Sequence, residues 1–216
     1  NLPYDPLKDF APLTGASRSS MLVIVPASSP YKTMGDLIAD ARKRPGALNY
    51  GAGSISYTLY TEWLNDLAKM KTTNIAFKGA GEAIIAAAGN QIDFAVVDST
   101  GAVELVKGGR IRALAYTGEA RSALLPQVPT IAEAGLPDFL ANAWVGAAVS
   151  SKTPEPVVRE LAALFQKAGE HKEFDEYLAR VGMSRWMSNP QQMRRFQVEE
   201  IDRWKRIASL AGIEPQ

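Results

Sequence analysis

The sequence has no cysteine and only one histidine among its 216 residues. The absence of cysteine excludes disulfides, thiol nucleophiles, iron–sulfur clusters and cysteine-type zinc sites. The one histidine, His171, lies among charged residues between two predicted helices, so we expect an exposed side chain. No Gly-x-Ser-x-Gly elbow and no Walker loop is present. The sequence therefore gives little support to catalysis, and we expect no catalytic residue, metal or cofactor.

An excess of one charge and a long apolar run are also missing. Lys and Arg number 24 against 23 Asp and Glu, and this net charge of +1 provides no field to hold a polyanion. We therefore expect no nucleic-acid partner. The longest strongly apolar stretch, Phe139 to Val149, is much shorter than the roughly 18 to 20 residues of a membrane span. The chain begins at Asn1 without a leader pattern, so we expect a targeting segment to be absent or already removed.

Short apolar runs alternate with helical patterns as far as Pro137. The run Met21 to Val25 predicts a buried strand, and Thr33 with Asp36 predicts a capped helix start. Further strands are predicted at 48–50, 74–77, 94–97 and 111–116, with helices between them and a short helical turn at 130–134. This alternation predicts an α/β fold with a mostly parallel sheet.

Beyond Pro137 the pattern changes to one strand, Ala143 to Val149, followed only by helices. Thr153 is predicted to start the first helix, and Ser188 with Gln191 to cap the last. The last helix carries an apolar stripe of Met193, Phe196, Ile201, Trp204 and Ile207. Such a tail cannot form a two-layer core by itself, so it must pack on strands from elsewhere.

These patterns predict three segments. Residues 14–137 form a complete α/β domain, and residues 138–216 form the crossover strand and the C-terminal helical part of another domain. Residues 1–13 are a remnant of that first domain and its crossover, and we expect its N-terminal half to precede Asn1. A homodimer partner, a swapped strand or a separate N-terminal fragment would then cover the C-terminal helices.

Two glycine-rich turns follow neighbouring predicted strands. The first, Gly51-Ala52-Gly53-Ser54-Ile55-Ser56, departs from the dinucleotide fingerprint because Ser56 stands at the last glycine position. The second is Gly79-Ala80-Gly81. Either turn alone could simply permit a tight bend. Together they bring the free N–H groups of two helix N-termini to the carboxyl edge of one sheet, which predicts an anion-binding site there.

Polar side chains are predicted at the same edge. Hydroxyl groups and one cation come from Ser54, Ser56, Tyr57 and Lys78, with Lys78 either in the pocket or at its rim. Asp98 closes an apolar strand and is either a plain helix N-cap or a ligand-binding group. Trp144, near the crossover between the domains, is either part of the core or a ligand contact.

Three segments together resemble one family. They are Phe77-Lys78-Gly79-Ala80-Gly81-Glu82-Ala83, Gly109-Arg110-Ile111-Arg112-Ala113-Leu114-Ala115 and Leu125-Pro126-Gln127-Val128-Pro129-Thr130-Ile131-Ala132-Glu133-Ala134-Gly135. With the opening Leu2-Pro3-Tyr4-Asp5-Pro6 and the closing Ala211-Gly212-Ile213, they make the chain similar to the Bug family. These are the periplasmic solute-binding proteins of tripartite tricarboxylate transporters, and the resemblance covers essentially the whole chain.

The resemblance implies a type II periplasmic-binding-protein fold, a two-domain clam-shell with parallel-type sheets whose first domain is incomplete in this chain. It implies a small carboxylate solute, namely a dicarboxylate, an amino acid or an aromatic acid, and transporter membrane components as partners. By position, the family's ligand contacts fall on the loop 51–57, on 78–81 and on Asp98. Two other classes stay open: an α/β enzyme using a nucleotide-like cofactor at the same crevice, and an adaptor or sensor that binds solute without transport.

Overall fold

The computed structural model describes residues 3–213, so Leu2 of the opening motif lies outside the described residues. The first nine elements are β1 (Phe10–Pro26), α1 (Met34–Lys43), β2 (Asn49–Ala52), α2 (Ile55–Leu67), β3 (Thr73–Ala76), α3 (Ala80–Ala88), β4 (Ala95–Asp98), α4 (Ser99–Lys107) and β5 (Ile111–Tyr116). The remaining elements are β6 (Asn142–Ser150), α5 (Glu155–Gly169), α6 (Lys172–Arg180), β7 (Ser184–Arg185) and α7 (Pro190–Leu210).

The chain divides into two compact units. One is Ser20–Asn142, and the other takes in the chain up to Ser19 and from Ala143 onward. Both divisions fall a few residues later than the predicted segment boundaries after residues 13 and 137. The reason for the first shift is that β1 is one continuous strand of 17 residues, of which the apolar run predicted only the C-terminal part.

The Ser20–Asn142 unit contains the predicted mostly parallel sheet. Strand β1 is antiparallel to β4, with Leu22 opposite Val97, and to β5, with Leu22 opposite Tyr116. Strand β2 is parallel to β3, and the Gly51 amide donates to the Phe94 carbonyl just before β4 at 3.1 Å. Strands β2 to β5 therefore run in one direction, and the antiparallel β1 is the exception.

Helices cover this sheet with apolar residues. A buried cluster joins strand residues to helix residues and includes Leu22, Ile24, Val97, Ile84, Ala87 and Val103. Helix α1 starts with the predicted capping box, in which Thr33 and Asp36 exchange side-chain-to-backbone hydrogen bonds. The predicted helical turn at 130–134 is present, because the Ala134 amide donates to the Thr130 carbonyl at 3.0 Å, and Thr130 and Glu133 bond each other's backbone amides.

Three predictions for the other unit, which contains β6, β7 and helices α5 to α7, are wrong. Strand β7, which pairs with β1 where Ser17 lies opposite Arg185, interrupts the run predicted to be helices only. Helix α5 has Pro154 rather than Thr153 as its N-cap, and α7 is capped by Asn189 with Gln192. Ser188 does not cap α7 because its hydroxyl accepts from the Gly15 amide at 2.7 Å.

The apolar stripe of α7 is only partly covered. Met193 and Ile207 are buried, whereas the remaining stripe residues, Phe196, Ile201 and Trp204, stay partly exposed. A carboxylate interrupts the stripe, because Glu200 is also buried, where it pairs with Arg203 and accepts from the Trp204 indole N–H at 3.2 Å.

Candidate functional site

The two glycine turns meet at one edge of the parallel sheet. A Cβ added to Gly53 would overlap the backbone of Gly79 and Ala80, so the first turn packs directly on the second. The Phe77 amide also donates to the Ala52 carbonyl at 2.8 Å, which holds the ends of β2 and β3 together. Only glycine fits at position 53, because the neighbouring atoms are backbone and cannot rotate away.

Two helices begin at this edge without side-chain caps. Helix α2 has Ser54 and α3 has Gly79 as N-cap, and neither supplies a side-chain cap hydrogen bond. The first N–H groups of both helices are therefore suited to bind an anion. The positive end of each helix dipole also favours the negative charge of that anion. Ser54, Ser56, Lys78 and Gly81 are exposed, and Gly79 and Ala80 are half-buried. The backbone amide of Lys78 donates to the Glu82 carboxylate at 3.1 Å.

Asp98 joins this edge through Tyr57. Asp98 is the N-cap residue of α4, but its side chain makes no cap hydrogen bond; it accepts instead from the Tyr57 hydroxyl. Asp98 thus holds the predicted N-cap position of α4, but its carboxylate turns toward α2 instead of the backbone of α4. Burial and the Asp98 carboxylate both raise the pKa of Tyr57, so the phenol stays protonated and remains the donor.

Ser99, which sequence reasoning missed, adds a further polar group at the start of α4. It is 3% exposed, and within residues 3–213 its hydroxyl has no hydrogen-bond partner. Buried hydroxyl groups in proteins nearly always have a partner, so this one is unusual. A hydroxyl directly after the strand-closing Asp98 was the available sequence signal.

Behind Tyr57, hydrogen bonds fix the two chain segments that leave the unit. Tyr60 is buried and donates to the Asn142 carbonyl at 2.8 Å, and Ser20 donates to the Asn142 side chain at 3.2 Å. Thr117 accepts from the Met21 amide at 2.7 Å.

Trp144 lies in the other unit. Its ring meets Trp186 and Phe196 edge to face, with centroid separations of 6.3 and 5.4 Å. The Arg18 guanidinium stacks on Trp186 at 3.8 Å from the ring centroid. These contacts support the packing interpretation of Trp144, and its role as a ligand contact stays a prediction.

The described residues offer little else of a catalytic kind. His171 has a side chain that is 66% exposed, as expected, beside the carboxylate of Glu173. Across residues 3–213, no group of three or more histidine, aspartate or glutamate side chains could hold a metal ion. No helix in the same range combines the length and the apolar character needed to cross a bilayer.

Comparison with known sequences assigns the family. The structure defines an α/β protein of two units in which two glycine turns meet at one sheet edge. The model of the family described as "Tripartite tricarboxylate transporter family receptor" matches residues 1–213, and the chain belongs to this family. A UPF0065 protein from the gbd 5' region of Cupriavidus necator is 32% identical over 213 residues, covering 97% of this chain and 64% of that protein. The chain thus spans less than two thirds of that relative's length.

Solved structures agree with this assignment. The Rhodopseudomonas palustris protein Rpa4515 with adipate superposes with a TM-score of 0.86 and 30% identity, over 100% of this chain and 73% of that one. MatC from the same organism, with bound malate, gives a TM-score of 0.78 and 29% identity over 96% and 72%. The predicted family and fold class are confirmed, and the family is one of receptors rather than enzymes.

Proposed function

We propose that the chain is the solute-binding part of an extracytoplasmic receptor that captures a small carboxylate for a tripartite tricarboxylate-type transporter. The observation that carries this proposal is the packing of Gly53 on Gly79, which gathers the uncapped starts of α2 and α3 at one edge. Adipate in one similar structure and malate in another support a carboxylate as the solute.

The candidate contacts divide by chemistry. Backbone amides of Gly53, Gly79, Ala80 and Gly81, the hydroxyls of Ser54 and Ser56, and the Lys78 ammonium are donors for a carboxylate. Tyr57 and Asp98 form a separate pair at the end of β4. The periplasm is the proposed compartment, and the membrane components of the transporter are the proposed partners.

Thermal-shift measurements with a ligand panel test the proposal, because a ligand that binds the folded chain raises its melting temperature. The panel holds dicarboxylates, amino acids, 4-hydroxybenzoate, NAD, FAD and ATP. We expect a shift with at least one carboxylate and none with the nucleotides. A response to a nucleotide alone, or to nothing in the panel, contradicts the proposal.

A variant pair locates the site. Ser54 and Ser56 are exposed at the start of α2, whereas Ser209 is exposed near the end of α7. The double substitution Ser54→Ala with Ser56→Ala is expected to weaken binding about tenfold or more, since it removes two hydroxyl donors. Ser209→Ala is the matched control and should leave the affinity unchanged. Equal affinities for all three proteins would place the ligand elsewhere.

A further inference from the structure

We propose that β3 and the basic turns where it begins form a docking surface for an extended, acidic segment of a partner protein. The segment adds to the free side of β3 as a further strand, and its carboxylates meet the lysines that flank that strand. The inference goes beyond the proposed function, because it holds whichever solute the chain binds.

Strand β3 is an open edge of the sheet. In the described part of the chain it pairs with β2 alone, and all of its residues are exposed. The Thr73 amide donates to the Leu48 carbonyl at 2.9 Å, and the Phe77 amide donates toward β2 in the same way at 2.8 Å. Because every second residue of a parallel strand bonds to the same neighbour, the N–H and C=O groups of Asn74 and Ala76 point to the free side.

This edge lacks the features that usually block strand addition. Natural edge strands are protected by charged side chains, by proline or by a bulge. Between Thr73 and Ala76 there is no charged residue and no proline, and the register with β2 is continuous. Ile75 is 37% exposed, so it also offers an apolar contact to an added strand.

Cations cluster where β3 begins. The turn after α1 and the turn after α2 are tied together, because the Gly46 amide donates to the Lys71 carbonyl at 2.7 Å and the Thr73 hydroxyl donates to the Gly46 carbonyl at 2.9 Å. The exposed cations on these turns and on the end of α1 are Arg42, Lys43, Arg44, Lys69 and Lys71.

Two of these five cations are paired with carboxylates of the adjoining helices. Arg44 pairs with Asp40, and Lys69 pairs with Asp66 at 3.2 Å. Lys71, nearest to β3, makes no ion pair with any residue that the structure describes. Five cations against two carboxylates leave a local net charge of +3, compared with +1 for the whole chain. The start of β3 therefore complements an acidic partner.

The strand edge and the charges together select the occupant. A second copy of the chain is disfavoured, because antiparallel addition brings Lys71 of one copy near Lys78 of the other, and parallel addition brings two Lys71 side chains together. An anionic lipid surface satisfies the lysines but offers no strand to the free groups of Asn74 and Ala76. An extended acidic segment satisfies both features.

Fluorescence anisotropy with a model peptide tests the inference on the full chain. In the labelled probe, glutamates at both ends flank alternating threonine and valine residues. We expect saturable binding that weakens as the salt concentration rises. The same peptide with N-methylated central amides keeps its charge but cannot pair as a strand. It should bind about tenfold or more weakly, since several hydrogen bonds are lost.

Two variant pairs locate the surface. Ala76→Pro removes an N–H that faces away from β2, so it should weaken peptide binding about tenfold or more, whereas its control Ala76→Val keeps that N–H and the affinity. Lys71→Glu should weaken binding about threefold to tenfold, because it exchanges an attraction for a repulsion. Lys152→Glu, the same change at an exposed lysine of the other unit, should leave the affinity unaltered.

Three results would overturn the inference. The first is a wild-type chain that does not bind the peptide, and the second is equal affinity for the N-methylated peptide, since charge alone would then attract it. The third is a failure to bind the peptide combined with equal binding of wild type and Ala76→Pro to vesicles of phosphatidylglycerol and phosphatidylcholine, which would assign the basic turns to a membrane surface. The N-methylated peptide probes the unaltered chain, so the test does not depend on the folding of Ala76→Pro.

Discussion

Gly53 packs on the backbone of Gly79 with no room for a side chain between them. This contact joins the turn after β2 to the turn after β3, and it brings the starts of α2 and α3 together. The atoms that a Cβ at position 53 would overlap belong to the main chain, so they could make room for it only if the whole turn moved. The geometry of the candidate site therefore depends on one glycine.

Gly53→Ala is expected to destabilise the protein by about 1–3 kcal/mol, the range typical of overpacking, and to weaken carboxylate binding as the turns separate. Gly81→Ala is the stability control, because a Cβ there meets nothing within 4 Å and alanine suits a helical position better than glycine. Urea unfolding of both variants measures the difference. If Gly53→Ala were as stable as the wild type, the two turns would not be in contact.

The Thr117 hydroxyl makes two hydrogen bonds to backbone groups in the interior of the Ser20–Asn142 unit. It is fully buried, and its hydroxyl accepts from the Met21 amide at 2.7 Å and donates to the Ala141 carbonyl at 2.5 Å. Thr117→Val keeps the shape but leaves both backbone groups unpaired, so we expect a loss of about 1–3 kcal/mol in the free energy of unfolding. Thr117→Ser retains the hydroxyl and should lose clearly less. Similar losses for both variants would show that packing, not hydrogen bonding, dominates there.

Much of the Ser20–Asn142 unit is predictable because its signals are local. Strand β5 has the predicted bounds, and the Thr33 and Asp36 capping pair forms as expected. The N-terminal half of β1 was missed because Phe10 to Ser20 is rich in small and polar residues and shows no apolar run. Strand β7 was missed because two residues are too short for any period.

The meeting of the two glycine turns was predictable from the sequence, but the direction of the nearby side chains was not. Strand ends and glycine turns are visible in the sequence, so the shared edge could be anticipated. Whether Asp98 caps α4 or turns toward Tyr57 depends on a rotamer that spacing does not determine. Ser188 illustrates the same limit, because its hydroxyl is taken by Gly15, which is remote in sequence. Long-range hydrogen bonds overrode local capping patterns at both positions.

The ion pair between Asp40 and Arg44 predicts that part of the protein's thermal stability is lost at acidic pH. Hydrogen bonds from Arg44 and from the Tyr31 hydroxyl lower the pKa of Asp40 from 3.8 to about 2. A carboxylate with a depressed folded-state pKa stabilises the fold above its unfolded pKa, and this contribution is lost as the pH falls toward the folded value. The melting temperature of the wild type should therefore exceed that of Asp40→Asn at pH 5 and converge with it near pH 2. When Tyr31→Phe is present in both proteins, the difference in melting temperature caused by Asp40→Asn should be smaller, because one hydrogen bond to Asp40 is already missing. A difference in melting temperature that does not change with pH would contradict the low pKa assigned to Asp40.

Helix α5 exposes apolar side chains on one face. Val157 is 42% exposed, Leu164 56% and Phe165 39%, at the helical spacing of a packing surface. Exposed apolar groups that cluster in this way mark interfaces more often than free surface. The sequence had predicted that the helices beyond Pro137 need cover.

We therefore predict that the purified chain associates with itself through α5, and a symmetric dimer is the commonest form of such association. Size-exclusion chromatography with light scattering should give a mass above the 23.4 kDa of one chain. The double substitution Leu164→Gln with Phe165→Gln removes apolar area without disturbing buried residues, so it should move the mass toward that of one chain. Lys167→Gln, a polar change on the same exposed helix, should leave the mass unaltered. A folded wild-type monomer that the double substitution does not change would show that these side chains need no cover.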